Sequence, residues 1–435
     1  CVADGGTRKV VVMSTPTITP AGYVPQDRLY LWALVNPAAP TLVGELGLSA
    51  LVPDCATFAY DAAWWQLPLS EDLPLVAGQV FSANEKGSAP GAIDDARPDR
   101  WGERVIRHID APKRLSIFEY LFFAGDDRFG ALGISLEAQR YVPCHRGPAP
   151  HLSDVSAIYE LVQAIENGQK VDEHLARLIR PGATLGGAKP KALVNIDGQT
   201  HIVKFPERDE AIDVGLVEHA TMTLANVAHL VPAGTRTISL GQGKGHAIAV
   251  QRFDRQWVGQ GAVATRYHAM SLRTALRAVG SDFSYANLAQ YLRRYAPAAE
   301  AQAMERTLFK RMVFNILMDN TDDHEKNHAL VFSEGESPRL APAFDVLPSC
   351  QNLGYQQIGV GERGAESTLE NAMSAHKAFR LSADQARSAM AQVAHAVDGW
   401  RLHFESLGVT ARDIEMLSAS IDRPFLMEQR RWAQG

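Results

Sequence analysis

The most constraining stretch of this chain runs from Asn315 to Asp345. It reads Asn-Ile-Leu-Met-Asp-Asn-Thr-Asp-Asp-His-Glu-Lys-Asn-His, then a short apolar run, a polar turn and Ala-Pro-Ala-Phe-Asp. Ahead of it, Met304, Leu308, Phe309, Met312, Val313, Ile316 and Leu317 recur at helical spacing, which predicts a buried amphipathic helix. The pattern stops at Asp319-Asn320 and the next residues are polar. A core helix that ends in a tight acidic loop holds carboxylates rigidly at the edge of a cleft.

Two chemistries suit such a loop. Phosphoryl transfer needs a base to orient a hydroxyl and oxygen ligands for magnesium. Asp322 and Asn327 have the separation of the Asp and Asn of a kinase catalytic loop. Ala329 to Phe332 reads as a strand, Ser333 to Pro338 as a turn and Arg339 to Ala341 as a return strand, which leaves Asp345 beside the same site. Magnesium prefers such hard oxygen ligands. The other chemistry is zinc hydrolysis, because His324-Glu325-Lys326-Asn327-His328 matches H-E-x-x-H. That motif requires a helix, whereas here it follows a helix stop and runs into a strand-like segment. A purely structural reading also stands: an acidic capped turn between a core helix and a hairpin.

The chain has 435 residues, enough for two or three domains, and a net charge of −6 that argues against a general nucleic-acid coat. Cys1, Cys55, Cys144 and Cys350 lack metal-ligand spacing and suggest reduced thiols in a cytoplasm. No apolar run approaches membrane-span length. Residues 1–148 read as a separate subdomain, with strands at Leu29 to Trp32, Thr57 to Tyr60 and Ala131 to Ile134. Trp64 and Trp65 read as core or edge packing. Asp126-Asp127-Arg128-Phe129-Gly130 reads as a charged turn, and nothing in this region suggests chemistry.

Further along, Thr184-Leu-Gly-Gly-Ala-Lys-Pro-Lys191 is glycine-rich and basic but lacks Walker A spacing. Its backbone amides could approach phosphates, though taken alone a plain mobile loop is the better reading. Ala192 to Ile196 and Thr200 to Phe205 flank Asp197-Gly198, a strong hairpin signal. Lys204 lies in the second of these strands and Glu218 at the start of the next helix. A strand lysine followed by a helix glutamate orients the nucleotide lysine of a kinase. A lobe hinge is expected at Gln251-Arg252-Phe253-Asp254-Arg255, after a buried strand.

Taken together, Thr184 to Lys191, Ile202-Val-Lys204-Phe-Pro, Gln251 to Arg255, Asn320-Thr-Asp-Asp-His-Glu-Lys-Asn327 and Leu340-Ala-Pro-Ala-Phe-Asp345 resemble the HipA family. Phe58-Ala-Tyr-Asp-Ala-Ala-Trp-Trp, Pro68 to Leu75 and Gly125 to Leu132 are similar too. These proteins are serine/threonine-protein-kinase toxins of bacterial toxin–antitoxin systems. The resemblance covers nearly the whole chain.

It implies an α+β, two-lobed protein-kinase-like fold with an extra N-terminal α/β subdomain and an all-helical C-lobe. The expected bounds are 1–148, 149–255 for the N-lobe with its ATP-covering loop and hinge, and 256–435 for the C-lobe. It implies Asp322 as catalytic base, Asn327 and Asp345 as magnesium ligands, and Lys204 on the ATP phosphates. Gln251, Arg252 and Phe253 form the adenine hinge. Thr184, Gly186, Gly187, Ala188 and Lys191 belong to the ATP-covering loop. Threonine stands at Thr184 where the family has an autophosphorylated serine, and its methyl group changes the fit. His324 is expected to support the loop by hydrogen bonding, with Glu325 facing solvent.

The implied cofactors are ATP and Mg2+. The implied partners are a small helix-turn-helix, HipB-like antitoxin and a translation-related substrate such as an aminoacyl-tRNA synthetase. DNA contact would come only through the antitoxin, and growth arrest would produce persistence. The binding-module alternative is a catalytically degenerate kinase fold that sequesters an antitoxin or nucleotide. Intact Asp322, Asn327, Asp345 and Lys204 argue against it.

Overall fold

The computed structural model describes residues 18–182, 187–258, 262–333 and 337–435. The expectations for Thr184 and Gly186 lie outside these residues.

The N-terminal part is built on an antiparallel sheet. Its strands are β1 (Arg28–Ala33), β2 (Thr41–Leu48), β3 (Ala56–Tyr60), β4 (Val80–Ser82) and, after two helices, β5 (Leu132–Ser135). The order is β4-β3-β2-β1-β5. Alternation places Leu29, Leu31, Leu46 and Phe58 on one buried face, and Val43, at a shift in the β1–β2 register, joins the same core. The helices are α1 (Arg100–Val105) and α2 (Ile117–Phe123). Phe118, Leu121 and Phe122 of α2 belong to the same core as that sheet face. Trp64 packs at its margin, but Trp65 is 81% exposed and is not core.

The next part opens with α3 (Val155–Glu166) and the single turn α4 (Glu173–Ala176). A second antiparallel sheet follows, from β6 (Lys191–Ile196), β7 (Gln199–Lys204), β8 (Thr235–Ser239) and β9 (His246–Gln251), in the order β6-β7-β9-β8. The β6–β7 turn is Asp197-Gly198, both at positive φ (52° and 82°), as a two-residue hairpin loop requires. Helix α5 (Val214–Val227) lies against β9. A Cβ on Gly215 would stand 2.1 Å from the His246 carbonyl oxygen, so only glycine permits this approach.

The remainder holds the hairpin β10 (Arg255–Val258) and β11 (Ala262–Arg266), then β12 (His268–Ser271) and the helices α6 (Leu272–Ala278), α7 (Tyr285–Tyr295) and α8 (Ala298–Leu317). Strands β13 (Ala329–Phe332) and β14 (Arg339–Leu340) join β12 in a small sheet. Helices α9 (Leu369–Ser374), α10 (Ala383–Asp398), α11 (Trp400–Ser406), α12 (Ala411–Ile421) and α13 (Pro424–Gln434) complete the bundle. Among the described residues, no helix is long and apolar enough to cross a membrane.

The N-terminal part is fastened to the rest by buried charges. Asp254 accepts hydrogen bonds from Arg252 Nη2 at 2.7 Å, Arg255 Nη1 at 2.8 Å and the Gly130 amide at 2.8 Å. The two guanidinium groups also bond the backbone oxygens of Asp127, Arg128 and Gly130. Arg180 pairs with the Asp127 carboxylate. Segment 126–130, which alone reads as a charged surface turn, is therefore an interdomain joint.

Asp254→Ala should strip the counter-charge from two buried guanidinium groups. A loss of about 3–5 kcal/mol is expected for breaking such a pair from one side, read as a lower midpoint of chemical denaturation.

Candidate active site

The acidic loop begins where α8 ends in a Schellman motif. Asp319 takes the left-handed position (φ 53°), the Asn320 amide bonds the Asn315 carbonyl at 2.9 Å, and the Asp319 amide bonds that of Ile316 at 3.2 Å. Glycine usually fills this position. Here the Asp319 carboxylate is held from outside, by Arg423 Nη2 at 2.9 Å and the Asn352 amide at 3.3 Å.

Beyond it, neighbouring aspartates have opposite fates. Asp322 is exposed, whereas Asp323 is buried. Asp323 accepts from the Tyr285 hydroxyl and bonds His328 Nε2 at 3.0 Å. Tyr285 in turn accepts from Asn315 Nδ2 at 3.0 Å. Burial alone would raise the Asp323 carboxyl, but His328 and Tyr285 outweigh it and hold it below the usual range. Asp322 moves the other way: desolvation raises it, the nearby carboxylates of Asp345 and Asp323 add to this, and His324 opposes.

His324 does support the loop, since its Nδ1 accepts from the Lys326 amide at 3.2 Å. His328 is the deeper anchor. Glu325 does not simply face solvent, because it is partly buried on the cleft wall, 4.0 Å from Arg273. Residues 324–328 hold a single turn at Glu325-Lys326 and no helix, so the H-E-x-x-H match lacks the helix that would put both histidines on one face.

Asn327 donates from Nδ2 to the Asp322 carbonyl at 3.4 Å, and its buried Oδ1 has no hydrogen-bond partner. Across the site, Lys204 Nζ lies 2.7 Å from Glu218 Oε1 and 2.6 Å from Asp345 Oδ1. Burial would depress the lysine, yet the Asp345 and Glu218 carboxylates prevail and hold it well above its ordinary value. The same pairing overcomes burial at Asp345 and holds its carboxyl low. Asp345 is left-handed (φ 57°), a conformation that Asp tolerates better than most residues. It follows a segment bonded on two sides: Ala341 to Ala329, and Ala343 to Val231 and Ala233.

Asp322 opens on a cleft of about 510 Å³. Gly187, Ala188, Phe129 and Phe344 line it, as do Lys326 and Arg273. The facing wall comes from Asp94 to Glu103 of the N-terminal part, where the sequence suggested no chemistry. Lys191 is buried at the start of β6, paired with Asp99, and its Nζ lies 3.4 Å from the Gly187 carbonyl.

The expected hinge residues point elsewhere. The Gln251 side chain bonds Gln199 at 3.0 Å, and Arg252 is sealed in the interdomain joint. Phe253 packs between Phe129 and Phe344, with ring centroids 5.9 and 5.5 Å away. Asp323 lay inside the acidic motif without a role of its own, and Tyr285 and the Asp94–Glu103 wall carried no functional signal. Their roles arise from contacts distant in the chain.

Tyr285→Phe should leave Asp323 with one hydrogen bond fewer in a buried setting. A destabilisation of about 1–3 kcal/mol is expected, visible in thermal melting, with the helical content unchanged.

Comparison with known proteins places this geometry in context. The family model described as "HipA-like C-terminal domain" matches residues 183–400, and that described as "HipA N-terminal domain" matches residues 38–135. A Haemophilus influenzae protein named "Putative kinase" is 23% identical over 182 residues, 38% of this chain and 52% of that protein. The chain thus spans about half the length of that relative. "Putative kinase Y4mE" of Sinorhizobium fredii is 26% identical over 319 residues, 67% of this chain and 71% of the relative. A chain of the Shewanella oneidensis MR-1 toxin–antitoxin complex of HipA, HipB and operator DNA shares the fold. It has a TM-score of 0.64 at 17% identity, covering 93% of this chain and 97% of that one. With both halves matched, this chain belongs to the HipA family.

Proposed function

We propose that this chain is an ATP- and magnesium-dependent serine/threonine protein kinase and the toxin of a toxin–antitoxin pair. The observation that carries the reading is Lys204, shared between Glu218 and Asp345, with Asp322 and Asn327 on a rigid loop beside it. A cation held by a helix glutamate is poised for nucleotide phosphates. Asp322 is the base that orients the acceptor hydroxyl. Its raised carboxyl suits proton acceptance from a hydroxyl near neutral pH.

The residues present fit magnesium. Asn327 Oδ1 is a buried acceptor without a partner, and the Lys204 bond occupies only Oδ1 of Asp345. Asn327 and Asp345 would hold the ion, which when bound neutralises phosphate charge. Gly187, Ala188 and Lys191 belong to the nucleotide-covering side, with Thr184 and Gly186 assigned to the same loop by family pattern. At the hinge, the backbone of Gln251 to Phe253 supplies the adenine contact, since the side chains of Gln251 and Arg252 are engaged elsewhere. The acceptor protein enters between the catalytic loop and the Asp94–Glu103 wall.

A HipB-like helix-turn-helix protein is the proposed antitoxin. Support comes from the family and from the printed composition of the Shewanella complex. A translation protein such as an aminoacyl-tRNA synthetase is the proposed acceptor, by family analogy.

Calorimetry and phosphate transfer from labelled ATP test the reading together. Asp322→Asn should keep magnesium-ATP binding and lose about 10²–10⁴-fold in turnover, as removal of a general base does. Asp345→Ala should lose the magnesium dependence of ATP binding. A folded wild-type chain that binds no magnesium-ATP would sink the proposal.

A further inference from the structure

The two proposed metal-binding side chains flank one small, separate hydrophobic core. That core gathers Phe129, Ala269, Ala329, Val331, Ala341 and Phe344, with Phe253 packed against it. Asn327 lies two residues before Ala329, and Asp345 directly follows Phe344. The strands between them are tied by backbone bonds, Leu330 opposite Leu340 and the Ala341 amide to the Ala329 carbonyl at 2.8 Å. Most of this core therefore comes from the elements that carry Asn327 and Asp345. Phe129 does not: it comes from the N-terminal part, more than 100 residues upstream.

Phe129 is held there by the interdomain joint. Its neighbour Gly130 donates to Asp254 and accepts from Arg255 at 2.7 Å, and Arg128 accepts from Arg252 and Arg255 through its carbonyl. Gly130 has a φ of 79° and passes close to Ala269, where a Cβ would come within 3.3 Å of the backbone nitrogen. The ring of Phe129 meets Phe253 edge-on, at 80°, and Phe253 lies against Phe344 at 32°. The three rings form a continuous row from the N-terminal part to the residue before Asp345. Edge-to-face packing of this kind adds directionality to burial.

We propose that Phe129 is a positioning residue for the metal pair: the N-terminal part completes the core that sets Asn327 and Asp345 at their spacing. The inference rests on the reading of those two side chains as magnesium ligands. Sequence pattern gives this phenylalanine no functional standing, because it sits in a segment that reads as a turn. The structure makes it the only aromatic ring contributed to this core by the N-terminal part among the described residues. The N-terminal part is then a component of the nucleotide site as well as its outer wall.

The test uses the full chain and three variants, Phe129→Ala, Phe129→Leu and, as a remote core control, Phe58→Leu in the N-terminal sheet. ATP affinity is measured by calorimetry with magnesium and with EDTA, beside thermal melting. The expected result is at least a tenfold loss of magnesium-ATP affinity in Phe129→Ala with metal-free ATP affinity unchanged. Phe129→Leu should restore affinity to within about threefold, since it refills most of the volume. Phe58→Leu should lower the melting temperature without touching the metal-dependent part. Equal loss with and without magnesium would mean that Phe129 touches nucleotide directly, and would overturn the inference. So would unchanged magnesium-ATP affinity in a folded Phe129→Ala. A wild-type chain that binds no magnesium-ATP defeats the kinase reading itself, and this inference with it.

Discussion

A buried carboxylate, Asp254, lies at the centre of the charged contacts that fasten the N-terminal part to the rest of this protein. Two guanidinium groups and a backbone amide converge on it in a buried setting. Desolvation works against its charge, but Arg252 and Arg255 more than compensate and keep it ionised far below the ordinary range. Removing charges from water costs several kcal/mol per ion, so such a cluster persists only when every partner is in place. Here the partners include the backbone oxygens of Asp127, Arg128 and Gly130. The cluster therefore sets the relative placement of the N-terminal sheet and the segment after β9, which apolar packing alone would leave less specific.

The acidic loop after α8 follows a similar logic on a smaller scale. Its two adjacent aspartates divide the work through environment. Asp323 is turned inward and tied to α7 through Tyr285 and to the next strand through His328. That anchor leaves Asp322 on the cleft side, with its carbonyl still bonded to Asn327. Asp319, held by Arg423 of the C-terminal bundle, fixes the point at which the helix ends. A flexible acidic loop would spread its carboxylates by mutual repulsion, whereas this one is pinned at both ends and in the middle.

The cleft is consequently a product of both halves. Asp95 bonds the Ser271 amide and hydroxyl, at 2.7 and 2.8 Å, and so secures the start of α6 next to the acidic loop. Asp99 caps α1 and pairs with Lys191, linking the outer wall to the start of β6. In these contacts the N-terminal part shapes the site from the side opposite Asp322.

Much was legible in the chain itself. The core helix, its stop, the Asp197-Gly198 hairpin and the strand before Gln251 follow from local periodicity and turn chemistry. The pairing of Lys204 with Glu218 follows from a strand lysine and a helix glutamate at the right separation. Asp322, Asn327 and Asp345 were singled out because their residue types and spacing suit one chemistry. What local pattern could not decide was which charged residues would be buried. Arg128, Arg252 and Asp254 look like surface residues one by one, and Asp126 to Gly130 looks like a turn. Only the tertiary structure buries them together, because the backbone groups that complete the Arg252–Asp254–Arg255 cluster lie more than a hundred residues away in the chain. Sequence alone determined which residue types line the site, while the fold decided that its second wall, and the ring of Phe129, come from the other half of the molecule.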